Sequence, residues 1–79
     1  MPRVTVRYFA NLRERRGADR EELEVEPGLT AGALFHRLFD AEGLGALPVA
    51  FAVNMTYTHA DHELVEGDEL AFIPPLGGG

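Results

Sequence analysis

Hydrophobic and polar residues alternate at the start of the chain with the two-residue period of a β-strand that buries one face. Over residues 3–9 this period places Val4, Val6 and Tyr8 on the buried side. Phe9 has the opposite parity, so it is expected on the outer face. The pattern therefore predicts an outward-facing aromatic residue where the first strand ends.

Two shorter elements follow the first strand. Asn11 is a suitable N-terminal cap, and Gly17 a suitable stop, for a short helical turn over residues 11–16. Residues 22–26 alternate between glutamate and aliphatic residues, and the Pro-Gly pair at 27–28 closes them with a turn. We interpret residues 22–26 as a strand hairpin-linked to the first, with an acidic, solvated face.

The middle of the chain contains one long stretch with helical periodicity. Thr30 is a good N-terminal cap, and the pattern ends near Gly43. His36 and Arg37 lie off the apolar stripe, whose spacing predicts a helix packed on the core. The stripe consists of Ala31, Leu34, Phe35, Leu38 and Phe39.

Three further segments have the length and composition of strands. Residues 50–54 are mostly apolar, and residues 55–58 would form a short return strand after a turn at Asn54. Residues 70–73 form the last strand before two prolines, and parity in this strand places Ile73 on the outer face.

A polar loop after the short return strand contains His59, Asp61 and His62. These residue types can bind a metal, but a convincing site needs a further strong ligand at a fixed spacing. We therefore interpret this segment as an ordinary polar loop and expect no metal site.

The order of the elements predicts the fold class. Strand, strand, helix, strand, short strand and strand form an α+β roll, in which a mixed sheet of four to five strands is covered by one main helix. The final strand is so apolar that it must pair inside the sheet, as in a β-grasp. We predict one domain over residues 1–75 and a flexible glycine tail over residues 76–79.

The end of the chain combines a stiff segment with a narrow one. Pro74 and Pro75 fix their φ angles and lack backbone N–H donors, so the strand ladder cannot continue through them. Gly77, Gly78 and Gly79 have no side chains, which allows their backbone to pass close to another molecule. The pattern favours a tail that is inserted into a partner over a simple frayed terminus.

Charge and composition narrow the choice of partner. Thirteen acidic residues against seven arginines and no lysine give a net charge of −6, which argues against nucleic acid and anionic membranes. A basic protein surface is the better match. The chain has no cysteine, which fits the reducing cytoplasm and excludes thiol chemistry by the chain itself. Without an evident catalytic triad or phosphate-binding loop, we expect no bound cofactor.

Three stretches together form a specific pattern: YFANLRE at residues 8–14 with Gly17, Val-Asn at 53–54, and GDELAFIPP at 67–75 before the glycines. With these, the whole chain resembles the ubiquitin-like sulfur carriers, and most of all the small subunits of molybdopterin synthase. Carriers of the thiazole pathway share the fold and the Gly-Gly terminus but usually lack the Pro-Pro stem. Leu76 and Gly77 occupy the two places that usually separate the prolines from the glycine pair.

The resemblance implies that the carboxylate of Gly79 is the reacting group. In the family, an adenylating enzyme of the ubiquitin-activating type uses ATP to adenylate this carboxylate, and sulfur from a donor protein then replaces AMP. The thiocarboxylate enters the large synthase subunit, threaded by residues matching Leu76, Gly77 and Gly78, and supplies sulfur to molybdopterin. Because a carboxylate needs such activation, we expect a protein co-substrate and not an enzyme.

The resemblance and the strand parity together predict a docking surface for these partners. Its members share an expected position on the face opposite the core or next to the tail. Three exposed apolar side chains in one place would be unusual on a small monomer. The predicted surface consists of Phe9, Tyr57, Ile73, Pro74 and Pro75, extended by Leu76.

Two alternatives stay open from the sequence. The activated tail could serve thiazole formation or tRNA thiolation, or could be joined to amines of target proteins. A chain without lysine could not then be extended through its own side-chain amines. The second alternative is an interaction module with an unreactive tail.

Overall fold

A computed structural model of the protein describes residues 1–75. This part of the chain folds into five strands and two α-helices, and neither helix is long and apolar enough to cross a membrane. The elements are β1 (Arg3–Tyr8), α1 (Ala10–Arg16), β2 (Arg20–Glu24), α2 (Ala31–Phe39), a 3₁₀ turn (Asp40–Glu42), β3 (Ala50–Val53), β4 (Thr56–Thr58) and β5 (Glu69–Ile73).

The five strands form one mixed sheet in the order β2-β1-β5-β3-β4. β5 lies at its centre, parallel to β1 and antiparallel to β3. A strand paired on both sides has its backbone polar groups satisfied, which suits the apolar sequence of β5. The predictions of a mixed sheet under one main helix, and of a last strand inside that sheet, are confirmed.

The core lies between the sheet and α2. Phe35 of α2 is at its centre, with its ring centroid 5.1 Å from that of Phe72 in β5 and 5.1 Å from that of Phe39. Burying an aromatic or aliphatic side chain of this size contributes about 1.5–3 kcal/mol, so this cluster is a main source of stability. The predicted core positions of β1 and β5 are all buried: Val4, Val6, Tyr8, Leu70 and Phe72.

The N-terminus of α2 is capped by its own side chain and by the polar loop. Thr30 is the cap as predicted, and its hydroxyl oxygen accepts a hydrogen bond from the backbone N–H of Ala33 at 3.1 Å. The backbone N–H groups of Ala31 and Gly32, in the first turn of the helix, donate to backbone carbonyls of residues 59–62 at 2.9 and 2.8 Å. Among residues 1–75, no three histidine, cysteine or carboxylate side chains converge on a common metal position. The loop thus serves the helix through its backbone.

The prediction that Asn11 caps α1 is wrong. The helix begins one residue earlier, at Ala10, and its N-cap residue is Phe9, which makes no side-chain capping bond. Ala10 has a φ of 51°, and the carbonyl of Phe9 accepts the N–H of Leu12 at 3.0 Å, so the backbone itself closes the first turn. Gly17 ends the helix in the left-handed conformation with a φ of 73°, as predicted.

The predicted bounds of β2 were two residues too late, since the strand covers Arg20–Glu24 and not residues 22–26. Its antiparallel pairing with β1 is confirmed, with Leu23 opposite Val4. The register decides the bounds, because β2 extends only as far as β1 offers partners. Val25 follows the strand, donates its backbone N–H to the carbonyl of Pro2 at 2.9 Å, and is buried in the core.

Candidate partner-binding site

The outer face of the sheet, opposite α2, has small residues at its centre. Ala71 of β5 pairs with Arg7 of β1 on one side and with Ala52 of β3 on the other. Ala52 in turn pairs with Tyr57 of β4. Paired residues on one face form a row across the sheet. Two alanines between larger side chains therefore leave a depression.

This depression is the floor of an open groove with a volume of about 560 Å³, which we call the outer groove. Phe9, Ile73 and the two prolines line the end from which the chain leaves β5. The pairing of Tyr8 with Phe72 brings Phe9 next to Ile73, although 64 positions separate them in the sequence. Met55 and Glu69 line the opposite end.

The structure brings together the predicted docking residues that it describes. Tyr57 is 73% exposed and Phe9 is 40% exposed, while Ile73 is half-buried. Pro74 is buried and Pro75 is exposed, so Pro75 offers more surface to a partner. Their role in binding stays a prediction. The predicted tail residues Leu76, Gly77, Gly78 and Gly79 lie outside the described residues.

Sequence reasoning missed Met55, which is 92% exposed at the corner of the outer groove. It occupies the second position of the two-residue loop between β3 and β4. The available sequence signal was an apolar residue directly after Asn54, at a place where hairpin loops are usually polar.

A polar rim adjoins the apolar part of the outer groove. The guanidinium carbon of Arg7 lies 5.7 Å from the ring centroid of Phe9, which is cation–π range. Its Nη1 atom is 4.0 Å from Oε2 of Glu69, and both side chains are more than a third exposed. Such a pair contributes at most about 1 kcal/mol. The arrangement of an apolar centre beside a polar rim is typical of protein–protein interfaces.

The buried Tyr8 helps to hold α1 in place near the end of the outer groove that Phe9 lines. The hydroxyl of Tyr8 donates to Oε1 of Glu21 at 2.7 Å, and Nη2 of Arg16 donates to the same oxygen at 2.7 Å. Burial raises the pKa of Tyr8, and the hydrogen bond to Glu21 raises it further. Burial alone would raise the pKa of Glu21, but the donors on Tyr8 and Arg16 outweigh it and lower that pKa. These bonds hold the helix that follows Phe9 in place.

A second network fixes the opposite end of the groove. Asp68 is only 6% exposed, and its carboxylate accepts hydrogen bonds from Nδ2 of Asn54 at 3.1 Å and from the backbone N–H of Val65 at 2.9 Å. The Oδ1 atom of Asn54 accepts the N–H of Glu69 at 3.0 Å. The Val-Asn and Gly-Asp-Glu stretches of the sequence thus meet here and attach the β3–β4 turn to β5.

The central parallel strand, the covering helix and the open outer face define a ubiquitin-like β-grasp protein. The chain belongs to the ThiS family, whose model matches residues 6–79. The molybdopterin synthase sulfur carrier subunit of Escherichia coli (strain K12) is 36% identical to it, over 96% of this chain and 99% of that protein.

Solved structures share the fold of this chain. SAMP1 from Haloferax volcanii has a TM-score of 0.78 at 26% identity and covers 98% of this chain and 99% of its own. The complex of subunits 1 and 2 of the molybdopterin-converting factor from Helicobacter pylori 26695 contains a chain with a TM-score of 0.63. That chain is 24% identical, and the match covers 98% of this protein and 99% of that chain, so it shows a shared fold.

Proposed function

We propose that this protein is the sulfur carrier subunit of a molybdopterin synthase and that the carboxylate of Gly79 carries the sulfur. The observation that carries the proposal is the position of β5: the central strand ends at Ile73 beside an apolar groove, and the glycine-rich residues 76–79 follow the two prolines. A partner bound in the groove would receive the tail directly. The E. coli relative, matched over nearly its whole length, bears this name.

The chemistry requires partners with their own active sites. A carboxylate resists attack by a sulfur nucleophile until it is joined to a good leaving group. We propose that an adenylating enzyme of the ubiquitin-activating type uses ATP to form an acyl adenylate at Gly79. A sulfur donor protein then supplies the nucleophile, the C–S bond forms and AMP leaves. The carrier is thus a cytoplasmic protein co-substrate that supplies the reacting carboxylate and the surface that positions it.

The partner that receives the sulfur is proposed to be the large synthase subunit, and support comes from the fold shared with one chain of the H. pylori complex. Ordering three tail glycines costs about 1–2 kcal/mol each in backbone freedom. Complete burial of an apolar side chain contributes about 1.5–3 kcal/mol of favourable free energy. Phe9 and Ile73 are already partly covered in the free protein, so their burial by a partner contributes less. Tyr57 and Met55 are the most exposed large apolar residues of the groove and have more area to lose.

Binding of groove variants to the large subunit tests the docking surface. Phe9→Asp and Tyr57→Asp each place a charge in the apolar part of the outer groove, so the affinity measured by calorimetry should fall by more than about tenfold, equivalent to about 1.4 kcal/mol. Circular dichroism should show that both variants are folded. Val65→Asp is the matched control, because Val65 is also an exposed apolar residue but lies outside the outer groove. Affinity within about twofold of wild type for both groove variants would exclude this surface.

A second candidate, a ubiquitin-like protein modifier, is supported by the likeness to SAMP1, whose name stands for small archaeal modifier protein 1. Mass spectrometry of protein isolated from cells with an intact sulfur pathway separates the possibilities. Replacement of one oxygen by sulfur at Gly79 is expected for the carrier. A branched conjugate would instead indicate a modifier, and an unchanged terminus an interaction module.

A further inference from the structure

Met55 is the most exposed of the large apolar residues in the described chain, at 92%. It lines the outer groove at the end away from Pro75 and has the same strand parity as Tyr57. A single exposed apolar side chain needs no explanation by itself. The conformation of its backbone is the second observation.

Asn54 and Met55 form the two-residue loop of the β3–β4 hairpin, with φ angles of 52° and 70°. Two positive φ angles are the pattern of a type I′ turn, in which glycine is the favoured residue at the second position. Any residue with a Cβ is strained there, and asparagine and aspartate tolerate it best. Methionine therefore occupies this position against the conformational preference of a residue with a Cβ.

The turn is also rigidly attached to the sheet. The backbone N–H of Asn54 donates to the carbonyl of Glu69 at 2.9 Å, and its side chain bonds to Asp68 and to the N–H of Glu69. The base of Met55 is thus fixed relative to β5, while its thioether side chain projects into solvent. A fixed attachment lowers the entropic cost of using a side chain as an anchor.

We propose that Met55 is a partner-binding residue that inserts into an apolar pocket of the large synthase subunit when that subunit occupies the outer groove. This inference rests on the proposed function and extends the docking surface beyond Phe9, Tyr57 and Ile73 to the hairpin tip. Methionine is unbranched and adapts to pockets of different shape.

The test separates apolar contact from backbone strain. Met55→Asn relieves the strain and removes the apolar side chain, so the melting temperature should rise by a few degrees, up to about 4–8 °C. The affinity for the large subunit should fall about tenfold. Met55→Leu keeps both the strain and the apolar side chain, so its melting temperature and affinity should stay close to wild type, with affinity within about threefold.

Three results would overturn the proposal: affinity of Met55→Asn within about twofold of wild type, equal losses for Met55→Asn and Met55→Leu, or a lower melting temperature for Met55→Asn. Phe9→Asp, measured in the same assay, separates the role of Met55 from the role of the groove as a whole. If Phe9→Asp and Tyr57→Asp both bind normally, the groove itself is not the docking surface. If Phe9→Asp loses binding while Met55→Asn does not, only the role of Met55 is refuted.

Discussion

The substitution Gly32→Ala tests whether the loop at residues 59–62 packs against the N-terminus of α2 and caps it. Gly32 is buried in the first turn of the helix, and its N–H donates to the carbonyl of Ala60 at 2.8 Å. A Cβ at this position would lie 2.9 Å from the Cβ of Ala60 and 3.2 Å from its carbonyl oxygen. The methyl group can be accommodated only if the loop moves away from the helix.

Opposing effects decide whether Gly32→Ala stabilises or destabilises the folded protein. Alanine is favoured over glycine in a helix interior by up to about 1 kcal/mol, and less in the first turn. Overpacking costs about 1–3 kcal/mol, and a weakened hydrogen bond from Gly32 to Ala60 costs a further 0.5–1.5 kcal/mol or so. We expect a net loss of about 1–2 kcal/mol, which lowers the melting temperature of a domain of this size by roughly 4–16 °C.

Thermal unfolding followed by circular dichroism measures this loss. The matched control introduces Gly32→Ala into an Ala60→Gly background, where the opposing methyl group is absent. Relative to Ala60→Gly alone, the loss should shrink to less than half. If Gly32→Ala melts at or above the wild-type temperature, the loop does not pack against the helix as described.

Three further outcomes are expected. Deletion of Gly79 moves the carboxylate back by about 3.3–3.6 Å, so adenylation should be lost without a change in melting temperature; normal adenylation would show that another group reacts. Tyr57→Phe leaves Tyr8 as the only tyrosine, and its absorbance should show no phenolate at about pH 11 while the protein is folded. The raised pKa of Tyr8 means that its stabilising contribution is complete below the unfolded pKa of about 10 and is lost at higher pH. Hydrogen bonds from Arg37 lower the pKa of Glu26 to about 2. The contribution of Glu26 to folding stability is therefore present above its unfolded pKa and is lost as the pH falls towards 2. In Arg37→Gln, the pKa of Glu26 measured by NMR titration should return towards 4.5.

The sequence by itself determined which face each strand residue occupies. Alternation is a local property, so Val4 and Phe9 could be assigned to opposite faces without knowledge of the strand partners. The helix stripe and the Thr30 cap were readable for the same reason, since their spacing depends only on helix geometry. These local patterns sufficed for the fold class and for most of the large apolar residues that line the outer groove.

Tertiary structure alone decided which of the outward residues meet. Phe9 adjoins Ile73 because β1 and β5 are parallel and paired in one particular register, which depends on contacts between distant parts of the chain. Met55 became a candidate only when the φ angles of its turn and its exposure were known. The loop at residues 59–62 was interpreted from the sequence as an ordinary polar loop, and only the structure shows that its backbone carbonyls accept hydrogen bonds from the first turn of α2. Side-chain periodicity is encoded locally, but register, turn conformation and backbone hydrogen bonding between distant segments are settled only when the whole core packs.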